Sequence, residues 1–223
     1  MKKLYIFSFL LILSASNIFS QSGWNSIYFS NVNTISKIVK RDSLNYIALC
    51  HYSKYFFKSS DAGNNWECLP EYSFDSNYSF FEGQFINSQT GWIVGANSQY
   101  YNGVILKTTN GGISWFKQNT GFNNYTCYGI CFLNQNTGWV GSQAGGSVGY
   151  LMKTTNGGST WSKQEFSGSS GIRYIKFFDI NNGWIAGTYL ISKTTNGGQN
   201  WINKTVNNIP PSIYSIEIFM QLI

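Results

Sequence analysis

Histidine, arginine and proline are scarce in this chain. His51 is the only imidazole, Arg41 and Arg173 are the only guanidinium groups, and three prolines serve all 223 residues. Charged residues amount to 11% of the total. One imidazole, with no CxxC pair beside it, supplies no zinc ligand set and leaves serine or cysteine nucleophiles only His51 as an imidazole base. No serine or cysteine stands in a recognisable nucleophile turn either. Two arginines and lysines scattered one or two per segment do not make the clustered basic face that nucleic acid requires. The formal charge is +6, and setting aside Lys2 and Lys3 leaves 13 basic against 9 acidic residues, about +4. Long apolar runs are also missing: the run from Leu4 to Leu13 ends at Ser14, short of the roughly 20 residues that cross a membrane. With Met1, Lys2 and Lys3 ahead of it and small polar residues up to Gln21 behind, it reads as a secretory signal peptide over residues 1–21. No cysteine lies near that point, which argues against a lipid anchor. The expected location is secreted or periplasmic.

Aromatics, by contrast, make up 18% of the chain, and Gly and Asn crowd between short apolar runs. That is dense turn chemistry and predicts strands rather than helices. Of the four cysteines, Cys127 and Cys131 lie four apart in an expected strand, about 13 Å from one another and out of disulfide reach. Cys50 and Cys68 belong to one repeat, so either a disulfide or two free thiols fits them.

Aligned against itself, the chain repeats. Lys107-Thr-Thr-Asn-Gly-Gly-Ile-Ser-Trp115 returns at Lys153–Trp161 and Lys193–Trp201, and a divergent copy, Lys58-Ser-Ser-Asp-Ala-Gly-Asn-Asn-Trp66, precedes them. The Trp-to-Trp intervals are 49, 46 and 40 residues, the spacing of propeller blades. A second landmark, Gly91-Trp92, Gly138-Trp139 or Gly183-Trp184, stands 17 to 23 residues before each of the last three of these tryptophans, and Tyr46-Ile-Ala takes its place in the first copy. Four short strands per repeat follow. In the third copy they fall around Ile130–Leu133, Trp139–Gly141, Tyr150–Thr154 and Trp161–Gln164. The Gly-rich stretch from Gly141 to Gly149 reads as the hairpin between the second and third strands. It is no phosphate loop, since no Lys-Ser/Thr ending and no helix follow.

The boxes at 59–66, 108–115, 154–161 and 194–201 have a local physical purpose. Gly63, Gly112, Gly158 and Gly198 supply positive φ in a tight reversal. Asp61, Asn110, Asn156 and Asn196 can accept turn amides, with Ser59, Thr108, Thr154 and Thr194 adding hydroxyl bonds. Trp66, Trp115, Trp161 and Trp201 offer apolar faces to cover the hairpin and pack between blades. All sixteen read as structural residues; no catalytic, cofactor-binding or metal-ligating residue is singled out.

The pattern S/T-x-D/N-x-G-x-x-W resembles the Asp-box, or bacterial neuraminidase repeat, over the whole of residues 22–223. The form GW-[IV]-[VA]-G followed by KTTNGG-x-x-W resembles the photosystem II stability and assembly factor family and its relatives in non-photosynthetic bacteria. That resemblance implies a β-propeller acting outside the cytoplasm, seven-bladed in the family, whose photosynthetic members chaperone a membrane-protein precursor. An Arg-rich binding patch, also implied, has only Arg41 and Arg173 to draw on. Sialidases and other glycoside hydrolases carry such boxes too, and a sialidase resemblance would imply three arginines, which this chain lacks. A hydrolase of another kind would need two of Asp42, Asp61, Glu67, Glu71, Asp75, Glu82, Glu165, Asp179 and Glu217 to converge. Asp179 aligns with Asn87 and Asn134 as a turn residue, while Glu67 and Glu165 fall on outer strands.

The expectation is therefore an all-β propeller of about four four-stranded blades with incomplete terminal strands, an open or truncated ring. Ser212–Phe219 would begin a fifth blade, and Gly23–Tyr28 would supply a lone fourth strand. The expected function is non-enzymatic binding or assembly with a protein or glycan partner, self-association through open blade edges being a further route, and an Asp-box glycoside hydrolase is the alternative. Neither nucleic acid nor a cofactor is expected. Tyr72, Phe74, Tyr78, Tyr100 and Tyr101 are the loop aromatics available for stacking.

Overall fold

A computed structural model describes residues 34–204, apart from 52, 54, 70–77, 98, 100, 101, 122, 146 and 147. The expected signal segment, the strand expected at Gly23–Tyr28, the fifth-blade strand expected from Ser212, Glu71, Asp75 and Glu217, and the aromatics Tyr72, Phe74, Tyr100 and Tyr101 lie outside the described residues.

The described residues form four antiparallel four-stranded sheets, each built from consecutive strands in sequence order. The first blade comprises β1 (Thr34–Lys40), β2 (Tyr46–His51), β3 (Phe57–Ser59) and β4 (Glu67–Cys68). The second holds β5 (Tyr78–Phe85), β6 (Gly91–Asn97), β7 (Asn102–Thr108) and β8 (Phe116–Lys117). In the third are β9 (Tyr125–Phe132), β10 (Gly138–Ala144), β11 (Val148–Thr154) and β12 (Ser162–Ser167), and in the fourth β13 (Ile172–Phe177), β14 (Gly183–Gly187), β15 (Leu190–Thr194) and β16 (Ile202–Asn203). The first strands pack in a row, β1 on β5, β5 on β9 and β9 on β13, so they form the inner face of a propeller arc. The fourth strands lie outermost.

Second strands such as β6 are buried along their whole length because neighbouring blades cover both faces, which erases the polar alternation of a half-exposed strand. Two sequence expectations need correction. The inner strand of the third blade begins at Tyr125 rather than Ile130, because its first half packs under the neighbouring blades. Gly141 and Gly149 lie inside β10 and β11, which run to Ala144 and from Val148, rather than in a hairpin loop. Gly141 is in a strand because a side chain there would meet the carbonyl oxygen of Ile172, at 2.5 Å, in the next blade.

The core lies between the blades. Val39, Ile47, Phe56, Phe80, Leu106 and Trp115 join the first blade to the second. Trp92, Ile105, Phe132, Met152 and Trp161 join the second to the third. Trp139, Leu151, Ile172, Phe177 and Ile185 join the third to the fourth. At the last two joints a second-strand tryptophan stacks on the final phenylalanine of the next inner strand: Trp92 on Phe132 and Trp139 on Phe177, both at 3.6 Å between ring centroids. Trp161 and Trp201 then meet the same phenylalanines edge-on. Burying one such indole is worth about 4–6 kcal/mol in area terms, before the cost of ordering it is subtracted.

Candidate functional site

The four box segments adopt one geometry. The hydroxyls of Ser59, Thr108, Thr154 and Thr194 accept the amides of Gly63, Gly112, Gly158 and Gly198 at 2.8–2.9 Å. Each hydroxyl donates to the side-chain oxygen of Asp61, Asn110, Asn156 or Asn196. That oxygen accepts a further amide four residues on, from Asn65, Ser114, Thr160 or Asn200. Trp66, Trp161 and Trp201 donate their indole N–H to the carbonyls of Gly63, Gly158 and Gly198, whereas the buried Trp115 indole nitrogen finds no acceptor. Both residues after each Asp or Asn have positive φ, including Ala62 at 59°.

These turns are mechanical parts. A cation from the preceding blade grips the first glycine carbonyl of three of them: Arg41 that of Gly111, Lys107 that of Gly157 and Lys153 that of Gly197, at 2.9–3.0 Å. Lys107 and Lys153 also lie over the stacked Trp92 and Trp139. Every box residue is thus engaged within its blade or at a joint.

The described carboxylates are dispersed. Asp61 and Asp179 sit in turns, Glu67 and Glu165 on outer strands, and Glu82 pairs with Lys37 at 2.7 Å. Asp42 accepts the side-chain amide of Asn45 and the backbone amides of Leu44 and Asn45. Led by the Asn45 side-chain bond, and against a desolvation penalty, these contacts bring its pKa down to about 2. No group of three or more His, Cys, Asp or Glu able to hold a metal occurs among the described residues. A recess at the third joint is walled by Trp139, Lys153, Lys163, Gln164 and Gly197, with no carboxylate in its lining. All four cysteines are free thiols, and burial pushes Cys50 and Cys127 up to about 12. Cys50 and Cys68 lie on β2 and β4 with β3 between them, so the disulfide alternative is not formed.

The inner face carries a different set of residues. Each of the four inner strands shifts register against its second strand by one extra residue: Ser36, Phe81, Tyr128 and Arg173. A bulge re-aims the side chain it carries. These four therefore leave the buried row and line up across the blades. Ser36 donates to the carbonyl of Phe80 in the next blade. The rings of Phe81 and Tyr128 lie 5.0 Å apart, and the Arg173 guanidinium sits 4.2 Å over Tyr128, with a bond to Gln143 at 3.2 Å. His51 extends the row beside Phe81 at 5.2 Å, and burial lowers its pKa, keeping it neutral at pH 7. Phe81, Tyr128 and Arg173 are half-buried.

Sequence reasoning missed this row. It marked loop aromatics instead, and of those Tyr78 is the described one, stacked on Phe80 at the start of β5. A signal was present: Ser36, Phe81, Tyr128 and Arg173 each stand four residues before the strand-ending Lys40, Phe85, Phe132 or Phe177. Regular alternation would put Phe81, Tyr128 and Arg173 on the same face as the phenylalanines that end their strands, where the arginine at Arg173 does not belong.

Solved structures share this architecture. An ancestral GH74 enzyme superposes with a TM-score of 0.63 at 18% identity, over 79% of this chain and 25% of that one. YCF48 from Cyanidioschyzon merolae superposes at 0.53 with 16% identity, over 75% of this chain and 50% of that one. YCF48 bound to a D1 peptide aligns at 0.49 with 15% identity, over 83% and 85% of the two chains. The chain thus spans a quarter of the GH74 structure and half of the Cyanidioschyzon merolae structure. No curated protein matches the sequence. The model of the photosynthesis system II assembly factor YCF48 family matches residues 58–167 and 118–218, and with its repeats, blades and joints now in place, this chain belongs to that family.

Proposed function

We propose that this chain is an extracytoplasmic, non-enzymatic binding module that engages a protein partner along its inner face, in the manner of an assembly factor. The row His51, Phe81, Tyr128 and Arg173 carries the reading. Two flat rings and one guanidinium, placed by bulges in successive blades, with the His51 ring at the end of β2 beside them, suit an extended polypeptide with apolar side chains and a carboxylate. Membership in an assembly-factor family supports a protein partner over a glycan. The dispersal of the described carboxylates supports binding without hydrolysis, and the likeness to GH74 enzymes extends to the fold alone.

Photocrosslinking tests this directly. Benzoylphenylalanine at Tyr128 should capture a polypeptide from extracts of the source cells, and capture should fall when Arg173 is changed to Ala. The same group at Lys163, on the outer strand β12, should capture nothing comparable. Equal capture from both positions would sink the assignment of the inner face. Release of reducing sugar from polysaccharides or sialosides by the purified protein would overturn the non-enzymatic reading.

A further inference from the structure

Two joints between blades have the same aromatic half: a second-strand tryptophan, a lysine facing it from the third strand, and a phenylalanine delivered by the next blade. Trp92 pairs across the sheet with Lys107 and receives Phe132; Trp139 pairs with Lys153 and receives Phe177. In both cases the indole is fully buried. The fourth blade holds the same pair. Trp184 is the cross-strand partner of Lys193, whose ammonium lies 5.7 Å from the ring centroid. Yet Trp184 remains part-exposed. Its joint is prepared, and the element it fits is an inner strand ending in phenylalanine.

The sequence contains such a segment. Phe85, Phe132 and Phe177 stand 19, 17 and 16 residues after the box tryptophans Trp66, Trp115 and Trp161, each followed by an apolar residue, Ile86, Leu133 or Phe178. Phe219 stands 18 residues after Trp201 and is followed by Met220. A second copy's first blade would be a poorer match, because its inner strand ends in the exposed Lys40 where the others end in phenylalanine. We infer that the outer face of the fourth blade, with Trp184 and Lys193, is a docking surface for residues 212–220 of the same chain, with Phe219 stacked on Trp184.

Two measurements on the full chain test this. With Cys68 changed to Ser, cysteines replacing Trp184 and Phe219 should be bridged by a short bis-maleimide within one molecule, giving a monomeric band and one cross-linked peptide. Cross-links between molecules, or none, would overturn the inference, the former in favour of a second copy. Hydroxyl-radical footprinting covers the case in which the double variant misfolds. In the unaltered chain Trp184 should oxidise as slowly as Trp92 and Trp139, and Phe219→Ala should speed Trp184 several-fold while leaving the other two unchanged. Fast oxidation of Trp184 in the unaltered chain would rule the docking out.

Discussion

Ala62 is the residue at which one repeat departs from the other three. It occupies the first left-handed position of its turn at φ 59°, where Gly111, Gly157 and Gly197 sit at 69–71°. A Cβ in that conformation costs roughly 1 kcal/mol, which glycine avoids. Ala62→Gly should therefore raise stability by about 1 kcal/mol, read as a higher urea midpoint with unchanged slope. Asp42 gives a pH-dependent counterpart. Its folded pKa lies below the unfolded value, so it favours folding fully above about pH 4 and loses that contribution as pH falls toward 2. Asp61 and Asp179 are lowered in the same direction by turn amides and asparagine side chains. Urea midpoints measured from pH 5 to pH 2 should fall, and Asp42→Asn should flatten part of that fall.

At the scale of elements, the joint between blades is the unit that carries stability. Removing the Trp139 ring should cost about 3–5 kcal/mol, since Phe177 loses its stacking partner and a cavity opens between two sheets. Lys153→Met keeps the apolar stem but loses the bond to the Gly197 carbonyl, at a cost of about 2 kcal/mol by chemical denaturation. How much of this was legible in the sequence depended on where each signal resides. The boxes were, because Asn-Gly-Gly turns are fixed by local bonds that sequence spacing displays. The four-strand blades followed from their period. The lysine clamps were invisible: Lys107 and Lys153 recur visibly, but their target carbonyls belong to the next repeat. The bulges were hidden for a related reason. One added residue shifts the facing of a side chain without changing composition, so Tyr128 reads as an ordinary member of its strand.

Over the whole molecule, blades meet sequential neighbours through separate joints, so stability should behave as a sum of local terms. Trp92→Ala and Trp139→Ala disturb joints that share no aromatic partner. Their effects should add to within about 0.5 kcal/mol in a double-mutant cycle by urea denaturation. A larger coupling would mean that the four blades unfold as a rigid unit in which one joint senses another.

The lysine grip also makes the last two joints heterologous. One face gives an ammonium and an indole; the other gives a carbonyl and a phenylalanine, and neither can pair with its own kind. The arc therefore has polarity, like a growing filament with distinguishable ends. A duplicated repeat can enter the series head-to-tail at either of these joints without redesign of its neighbours, whereas an inverted repeat fits neither. Blade number is accordingly the easiest property of such a chain to change by recombination, and the order of faces the hardest.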